Sequence, residues 1–223
     1  MSSTKGKLAR LVSGLLLKRA AIVSVQAIGG FQRLLLRCNV QGLSAGTKVQ
    51  LLLPSDDMRT YSPIRAPEGM VLLGWKHAGG PGARWMANVR VGEELPFVGP
   101  QRSLELGAGP VVLVGDETSV AVAAAFAVER PGGVHAIIQS DAAADVREAA
   151  ASVGLHHVDV VAPGSPTATV DAVANRLSSS PNTVVAVTGG SELVVGVRDA
   201  LRRAGVRNIK TKTYWIPGRT GLD

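Results

Sequence analysis

The sequence predicts two units of different class: an N-terminal antiparallel Greek-key β-barrel, followed by a five-stranded parallel-sheet α/β domain. Between residues 21 and 98, short strand-like runs recur about every ten residues and are separated by Gly, Pro or Asp, a pattern typical of a small antiparallel barrel. From Pro110 onward, apolar strands alternate with helical segments, which indicates βαβ units and a parallel sheet. The 223 residues allow two domains of about 100 residues each.

The first unit is predicted to contain six strands and one helix. The strands are 22–25, 31–40, 48–53, 59–64, 70–76 and 95–98, the last ending before Gly99-Pro100. Segment 81–89 differs, because it begins with a proline and places Trp85, Met86 and Val89 at helical spacing. This segment is the predicted helix of the barrel.

In the second unit, strands and helices are predicted to alternate regularly. The strands are 111–115, 134–139, 157–161, 183–188 and 208–214, and the helices are 117–129, 142–151, 167–178 and 192–204. Parallel sheets bind ligands beyond the carboxyl ends of their strands. Those ends are 115–118, 139–141, 161–164 and 188–192. The boundary falls near 104–109, so the expected domains are 21–104 and 105–223.

The N-terminal segment, residues 1–20, is interpreted as basic, with an amphipathic helix over 6–19. It could dock on the body of the protein or contact an anionic membrane surface, and docking is favoured. Its apolar run is too short for a membrane span and lacks a small-x-small cleavage site, so neither a transmembrane segment nor a secretory signal is expected. The single cysteine, Cys38, excludes a disulfide within the chain and fits a reducing compartment, which predicts a cytoplasmic protein.

The positive charge is concentrated in the first half. Residues 1–104 carry 14 Lys/Arg against 5 Asp/Glu, a balance of +9, whereas residues 105–223 carry 10 against 12, a balance of −2. Basic runs with interleaved aromatics and a helix-turn-helix pattern are missing, so nucleic acid is not an expected partner. An anionic small molecule fits this half better.

The heptapeptide 59–65, Arg-Thr-Tyr-Ser-Pro-Ile-Arg, is the most informative segment. On an extended strand Arg59, Tyr61 and Pro63 would share one face, and the residues between them the other. A guanidinium group can bind a diphosphate in fork geometry, and the neighbouring ring can cover a flat cofactor. The pattern therefore suits a large, planar, phosphorylated ligand.

Four segments together resemble a known family. They are the heptapeptide 59–65, the segment 77–86 (His-Ala-Gly-Gly-Pro-Gly-Ala-Arg-Trp-Met) with later Gly92 and Gly99-Pro100, the Gly-Asp-Glu-Thr of 115–118, and Tyr214-Trp215 with Gly218-Arg219. This layout resembles the ferredoxin-reductase-like flavoproteins. It is most similar to the siderophore-interacting protein family, the cytoplasmic FAD-containing ferric-siderophore reductases.

The resemblance implies roles for individual residues. It implies an FAD site formed by Arg59, Tyr61, Ser62, Arg65 and His77, and by the helix start with Gly80, Gly82, Ala83, Arg84 and Trp85. It implies a cleft for NADPH or NADH lined by Gly115, Asp116, Thr118 and Gly189, with Trp215 and Arg219 bordering it or the flavin. At the helix start, glycines let the backbone approach a diphosphate, and free N–H groups favour an anion.

Several of these residues have other readings. Asp116 and Glu117 could cap a helix, and because two carboxylates disfavour a phosphate there, contact with ribose or nicotinamide is expected instead. His77 could be a turn residue without a chemical role. His156-His157 lack a matching ligand cluster, so no metal is assigned. Ala83 stands where the family usually has a hydroxyl residue, and the segment 188–192 is longer than its counterpart, so the cofactor preference stays open.

The implied reaction passes electrons from NADPH or NADH through FAD to ferric iron in a siderophore, releasing Fe(II). No catalytic side chain is expected, because the cofactor carries the redox chemistry. Lys48, Lys76, Arg33 and Arg37 are candidates for the surface that receives an anionic ferric chelate. The alternatives are a flavin oxidoreductase with another acceptor, such as an iron–sulfur protein, a quinone or ferric citrate, and a flavin-binding protein without turnover.

Overall fold

The computed structural model describes residues 17–76, 80–180 and 182–219. The chain divides into two compact units, Met1–Ser103 and Leu104–Asp223. This division lies one residue before the boundary expected from the sequence. In the described part of the chain, none of the helices is both long and apolar enough to cross a lipid bilayer.

The first unit is a seven-stranded antiparallel sheet with one helix. In chain order its strands are β1 Lys18–Ile28, β2 Phe31–Arg37, β3 Thr47–Leu52, β4 Met58–Tyr61, β5 Ile64–Ala66, β6 Gly69–Trp75 and β7 Glu94–Arg102. Helix α1 spans Pro81–Asn88 and lies between β6 and β7 in the chain. The strand order is β4-β3-β7-β1-β2-β6-β5.

Strand alternation builds the core of this unit. Leu34 and Leu36 on β2 are fully buried, whereas Arg33 and Leu35 are only half-buried, as expected when successive side chains point to opposite faces. Helix α1 adds Trp85 and Met86 to the same core. Gly74 allows this packing, because a Cβ there would lie 2.7 Å from the Cε atom of Met86.

The predicted strand 59–64 is two strands separated by Ser62-Pro63. β4 pairs with β3 and β5 pairs with β6, at opposite ends of the strand order. Pro63 has no N–H to donate to a ladder, which explains the break. Tyr61 and Ile64 are three residues apart and so can be separated by at most about 11 Å. The sheet must therefore curl until its two edges are close, although the strand pairings do not close it between β4 and β5.

The second unit is the predicted five-stranded parallel sheet. Its strands are β8 Val111–Gly115, β9 Val134–Gln139, β10 Val158–Val161, β11 Val184–Gly190 and β12 Ile209–Trp215. Its helices are α2 Val120–Glu129, α3 Ala143–Ser152, α4 Pro166–Ser179 and α5 Ser191–Arg203. The strand order is β10-β9-β8-β11-β12, and all pairings are parallel.

This strand order creates a crevice at one position. The chain runs outward from β8 to β10 and then returns to β11 on the other side of β8. The helices that follow β8 and β11 therefore leave the sheet in opposite directions, and ligands of such sheets bind at this switch point. β8 is buried along its whole length. The residues directly after β8 and those that end β11 form the switch-point edge.

Three further details differ from the sequence predictions. β7 continues through Gly99-Pro100 to Arg102, because the pairing with β3 is irregular there and the missing proline N–H falls outside the regular ladder. Lys18 and Arg19, predicted to end the N-terminal helix, belong to β1, where they pair with β7; residues 1–16 lie outside the described residues. Helix α2 starts at Val120, after a 3₁₀ turn over Glu117–Ser119.

Candidate functional site

Arg59, Tyr61 and Gly82 meet in the first unit. A Cβ placed on Gly82 would lie 3.3 Å from the Tyr61 hydroxyl oxygen and 3.4 Å from the Cγ and Cδ atoms of Arg59. The absence of a side chain at Gly82 therefore lets the start of the helix lie close against the side chains of Arg59 and Tyr61 on strand β4. We call this group, with the first turn of α1, the β4–α1 cradle.

The first turn of α1 supplies hydrogen-bond donors to this cradle. Gly80 is the N-cap and Pro81 the first helical residue, and this turn has neither an acidic side chain nor a side-chain cap. The N–H groups of Gly82 and Ala83 precede the first intrahelical donor, which is Arg84 bonding to Gly80. Two such N–H groups and the positive end of the helix dipole favour a phosphate or another anion.

Tyr61 offers a neutral phenol beside the helix. Burial raises the pKa of Tyr61 well above its usual range, and the positive charge of Arg59 opposes this shift only in part. The ring packs against Trp85, with centroids 6.1 Å apart and planes inclined by 59°. Tyr61 therefore remains a hydrogen-bond donor at any physiological pH.

The indole N–H of Trp85 is buried without a hydrogen-bond partner. Leaving such a donor unpaired costs about 1–3 kcal/mol, so a ligand acceptor at this point would be favoured. The same indole borders a cleft of about 220 Å³, lined by Pro54, Ser55, Pro81, Arg84 and Trp85. Sequence reasoning missed Pro54 and Ser55, because the break after β3 gave no chemical signal.

Arg59 is held by neighbours on its own side of the cradle. Its Nη1 donates to the Met58 carbonyl at 2.6 Å, and its Nη2 lies 3.6 Å from Asp57 Oδ1. The Ser55 hydroxyl in turn donates to Asp57 at 2.8 Å. A phosphorylated ligand would therefore compete with Asp57 for the guanidinium group.

In the second unit, Asp116 lies at the centre of the switch-point edge. Its Oδ1 accepts the Thr118 backbone N–H at 3.0 Å and the Thr118 hydroxyl. Its Oδ2 accepts the Gly190 N–H at 2.8 Å and the Trp215 indole N–H at 2.9 Å. One buried carboxylate thus connects the residues after β8 with the ends of β11 and β12.

Three glycines make this arrangement possible. A Cβ at Gly115 would lie 2.1 Å from the Ser119 hydroxyl oxygen, and one at Gly190 would lie 2.5 Å from the Trp215 ring. Gly189 has a φ of +118°, and its Cβ would lie 2.5 Å from Asp116. The predicted glycines at this edge are therefore required by close packing as well as by backbone conformation.

Further hydrogen bonds hold the turns around this edge. Thr188 donates to Ser119 at 2.8 Å, with both residues fully buried. The Ser140 hydroxyl, after β9, donates to Glu117 at 2.6 Å. These bonds tie the residues that follow β8 to the end of β11 and to the residue that follows β9.

Comparison with known proteins identifies the fold. No protein-family model and no curated protein sequence matches the chain. A siderophore utilization protein from T. fusca matches with a TM-score of 0.67 and 22% identity, covering 93% of this chain and 95% of that one. The siderophore-interacting protein from Acinetobacter baumannii matches with a TM-score of 0.67 and 17% identity, covering 93% of each chain.

A third match extends the likeness to the reductases. The ferredoxin NADP⁺ reductase from Neisseria gonorrhoeae, solved with bound FAD and NADP, has a TM-score of 0.71 and 13% identity, over 89% of this chain and 99% of that one. The chain has the ferredoxin-reductase fold. The fold class predicted from the sequence is confirmed.

The other residues that the sequence predicts to bind the cofactors lie at varied positions in this fold. Ser62 lies between β4 and β5, and Arg84 is exposed on α1. Arg65, on β5, donates to the Leu43 carbonyl. His77 lies outside the described residues, and Arg219 is exposed after β12.

The four cations predicted to receive an anionic chelate do not form one group. Arg33 and Arg37 lie on the same face of β2, but β7 and β1 separate this strand from Lys48 on β3. Lys76 follows β6, and its backbone N–H donates to the Gly30 carbonyl. The Nε of Arg33 is buried without a hydrogen-bond partner. In the described ranges, His, Cys, Asp and Glu side chains form no group of three or more that could bind a metal ion.

Proposed function

We propose that this protein is an FAD-containing oxidoreductase that passes electrons from NADPH or NADH to ferric iron in a siderophore, and that it does so in the cytoplasm. The observation that carries the proposal is the β4–α1 cradle. It combines a guanidinium group, a neutral phenol and free helix N–H groups within one unit. The siderophore-related proteins among the structural matches support the same reading.

The cradle fits a flavin dinucleotide. The N–H groups of Gly82 and Ala83 and the guanidinium group of Arg59 would hold the diphosphate, once Asp57 is displaced. Tyr61 would contact the isoalloxazine, and the orphan indole N–H of Trp85 would find an acceptor on the ligand. Bound FAD would supply the redox chemistry, taking electrons in pairs from a nicotinamide and passing them on singly.

The switch-point edge would hold the pyridine nucleotide. Gly115 and Gly189 let Ser119 and Asp116 pack directly against the backbone at the switch point, the position at which doubly wound sheets bind dinucleotides. The carboxylates of Asp116 and Glu117 would disfavour a phosphate placed directly on the 3₁₀ turn. We therefore expect ribose or nicotinamide rather than pyrophosphate at that turn.

The acceptor would be a ferric chelate. Each ferric centre takes one electron, so one NAD(P)H would reduce two chelates, and Fe²⁺ binds hard oxygen ligands more weakly than Fe³⁺. The +9 balance of residues 1–104 would attract an anionic chelate. The ferredoxin reductase match supports a second candidate, an oxidoreductase of the same fold with a protein acceptor.

Absorption and reduction assays test this proposal. The purified protein, or the protein reconstituted with FAD, should have a flavin spectrum that bleaches anaerobically with NADPH or NADH. Addition of a ferric catecholate should restore the spectrum and form Fe²⁺, detected with a ferrous chelator. Reduced ferredoxin as product, with inert ferric chelates, would favour the second candidate.

Two arginine variants, one in the β4–α1 cradle and one outside it, test whether FAD binds at the cradle. Arg59→Ala should weaken FAD binding about 10- to 100-fold, the equivalent of one or two charge-assisted hydrogen bonds. Arg90→Ala removes an exposed arginine after α1 and should leave FAD binding unchanged. Failure of the wild-type protein to bind any flavin, or equal effects of the two variants, would refute the proposal.

A further inference from the structure

We propose that Asp116 is a positioning residue: it fixes Trp215 as an aromatic platform at the switch-point edge and does not itself contact the pyridine nucleotide. This inference rests on the proposed function for the nucleotide, but the hydrogen bonds that carry it lie within the protein. The sequence pattern favours direct contact of Asp116 with ribose, and we replace that expectation with an indirect role.

The acceptor sites of Asp116 are already filled. A carboxylate offers about four lone-pair sites, and four donors occupy them: two from Thr118, one from Gly190 and one from Trp215. The side chain is also buried, with 7% of its surface exposed. A ribose hydroxyl could bind to Asp116 only by displacing one of these donors.

Trp215, in contrast, is open to a ligand. It has 44% of its surface exposed, although its indole N–H is bonded to a buried carboxylate. The edge of its ring packs on the Cα of Gly190, where a Cβ would lie 2.5 Å from the ring. One part of the indole is therefore anchored while the rest faces outward, the arrangement that stacks a planar ring at low entropic cost.

The backbone of β12 contributes to this orientation. Gly189 pairs with Thr213, but the next residue, Gly190, pairs with Trp215, so Tyr214 is an extra residue at the end of β12. An extra residue of this kind changes which side chain points to a given face. Without it, Gly190 would pair with Tyr214, and the indole would point to the other face of the sheet. The irregularity thus brings Trp215 to Asp116.

Indole N–H signals in ¹H–¹⁵N spectra of the full-length protein test the anchoring directly. The three tryptophans, Trp75, Trp85 and Trp215, give one indole signal each, and Trp215→Phe identifies the third. In Asp116→Asn one oxygen remains for four donors, so the Trp215 signal should shift and exchange faster with solvent, while the other two stay in place. Asp199→Asn, at an exposed carboxylate on α5, should move none of them.

Measurements of NADH and NADPH affinity test whether the Trp215 platform contributes to nucleotide binding. Because both residues act through one platform, Asp116→Asn and Trp215→Phe should each weaken NADH or NADPH binding about tenfold, and the double variant should be no weaker than the weaker single variant. Trp215→Phe leaves three donors on Asp116, so it serves as the test if Asp116→Asn fails to fold. For electron transfer, the loss should appear in KM rather than in kcat.

The outcomes are distinguishable. An unmoved Trp215 signal in Asp116→Asn would overturn the anchoring. Additive losses of affinity would overturn the indirect role, because they would indicate separate contacts of Asp116 and Trp215 with the nucleotide. If Asp116→Asn shifts the Trp215 signal as expected but the wild-type protein binds neither NADH nor NADPH, the proposed function and the role of the platform are refuted, while the anchoring of Trp215 is established.

Discussion

Gly82→Ala should separate the stability of the first unit from the FAD binding proposed for it. Gly82 is the second residue of α1, and no positive φ requires glycine there. Replacing a helical glycine with alanine typically stabilises a protein by about 0.5–1 kcal/mol. The new methyl group would meet Tyr61 and Arg59 at 3.3–3.4 Å, so a shift of a few tenths of an ångström would offset part of this gain. We expect a change of between zero and about 1 kcal/mol in the free energy of unfolding.

The same methyl group should obstruct the ligand. A helical Cβ points toward the N-terminus of its helix, which places it at the end of α1 where the diphosphate would bind. Losing one charge-assisted hydrogen bond to a backbone N–H costs about 1.5–3 kcal/mol, which corresponds to roughly 10- to 100-fold weaker FAD binding. The prediction is therefore an unchanged or slightly raised stability together with a large loss of affinity.

Flavin fluorescence titration and thermal unfolding of the apoprotein measure the two effects separately. Gly196→Ala is the matched control, because Gly196 is exposed on α5 and a Cβ there would meet no atom within 4 Å. It should raise the Tm by about 2–4 °C at most and leave FAD affinity unchanged. A folded Gly82→Ala protein with wild-type FAD affinity would refute the placement of the diphosphate at this turn.

Three further predictions follow from single contacts. Asp57→Asn should strengthen FAD binding up to about fivefold, since it releases the Arg59 guanidinium from its ion pair; weaker binding in a titration would show that Asp57 instead helps to orient the arginine. Thr188→Val should lower the free energy of unfolding by about 1–2 kcal/mol in urea, because Ser119 loses a buried donor; an unchanged midpoint would contradict this. Burial lowers the pKa of His135 from its ordinary value of 6.5, so the unfolded chain binds the proton more readily, and stability should be complete above that pH and decline as the pH falls through it. His135→Gln should reduce this decline in urea unfolding measured at pH 5 and 8, and an identical pH dependence would rule the histidine out as its source.

Local sequence patterns were sufficient for most of the secondary structure. The strand Val111–Gly115 is apolar throughout because both faces of a parallel sheet are covered, and such runs stand out without tertiary information. Trp85 and Met86 were recognisable as core residues of a short helix from their spacing alone. The break at Ser62-Pro63 was missed because the residues around it alternate like a single strand, and only pairing with different neighbours separates them.

The candidate sites were predictable as segments but not as contacts. Arg59 and Tyr61 were singled out by their chemistry and the glycine-rich turn at α1 by the family resemblance, and the structure brings the three together at Gly82. That Asp57 engages the arginine, or that the Trp85 indole lacks a partner, depends on side-chain positions that no spacing rule contains.

The sequence alone therefore determined the two-unit organisation and the parallel and antiparallel classes of the sheets, because periodicity and turn residues act over short distances along the chain. Only the tertiary structure decided what Asp116 contacts. Its partners Gly190 and Trp215 are 74 and 99 residues away in the sequence, and they reach it because β11 lies beside β8 in the sheet and β12 lies beside β11. Hydrogen bonds depend on separation in space, and the strand order sets that separation.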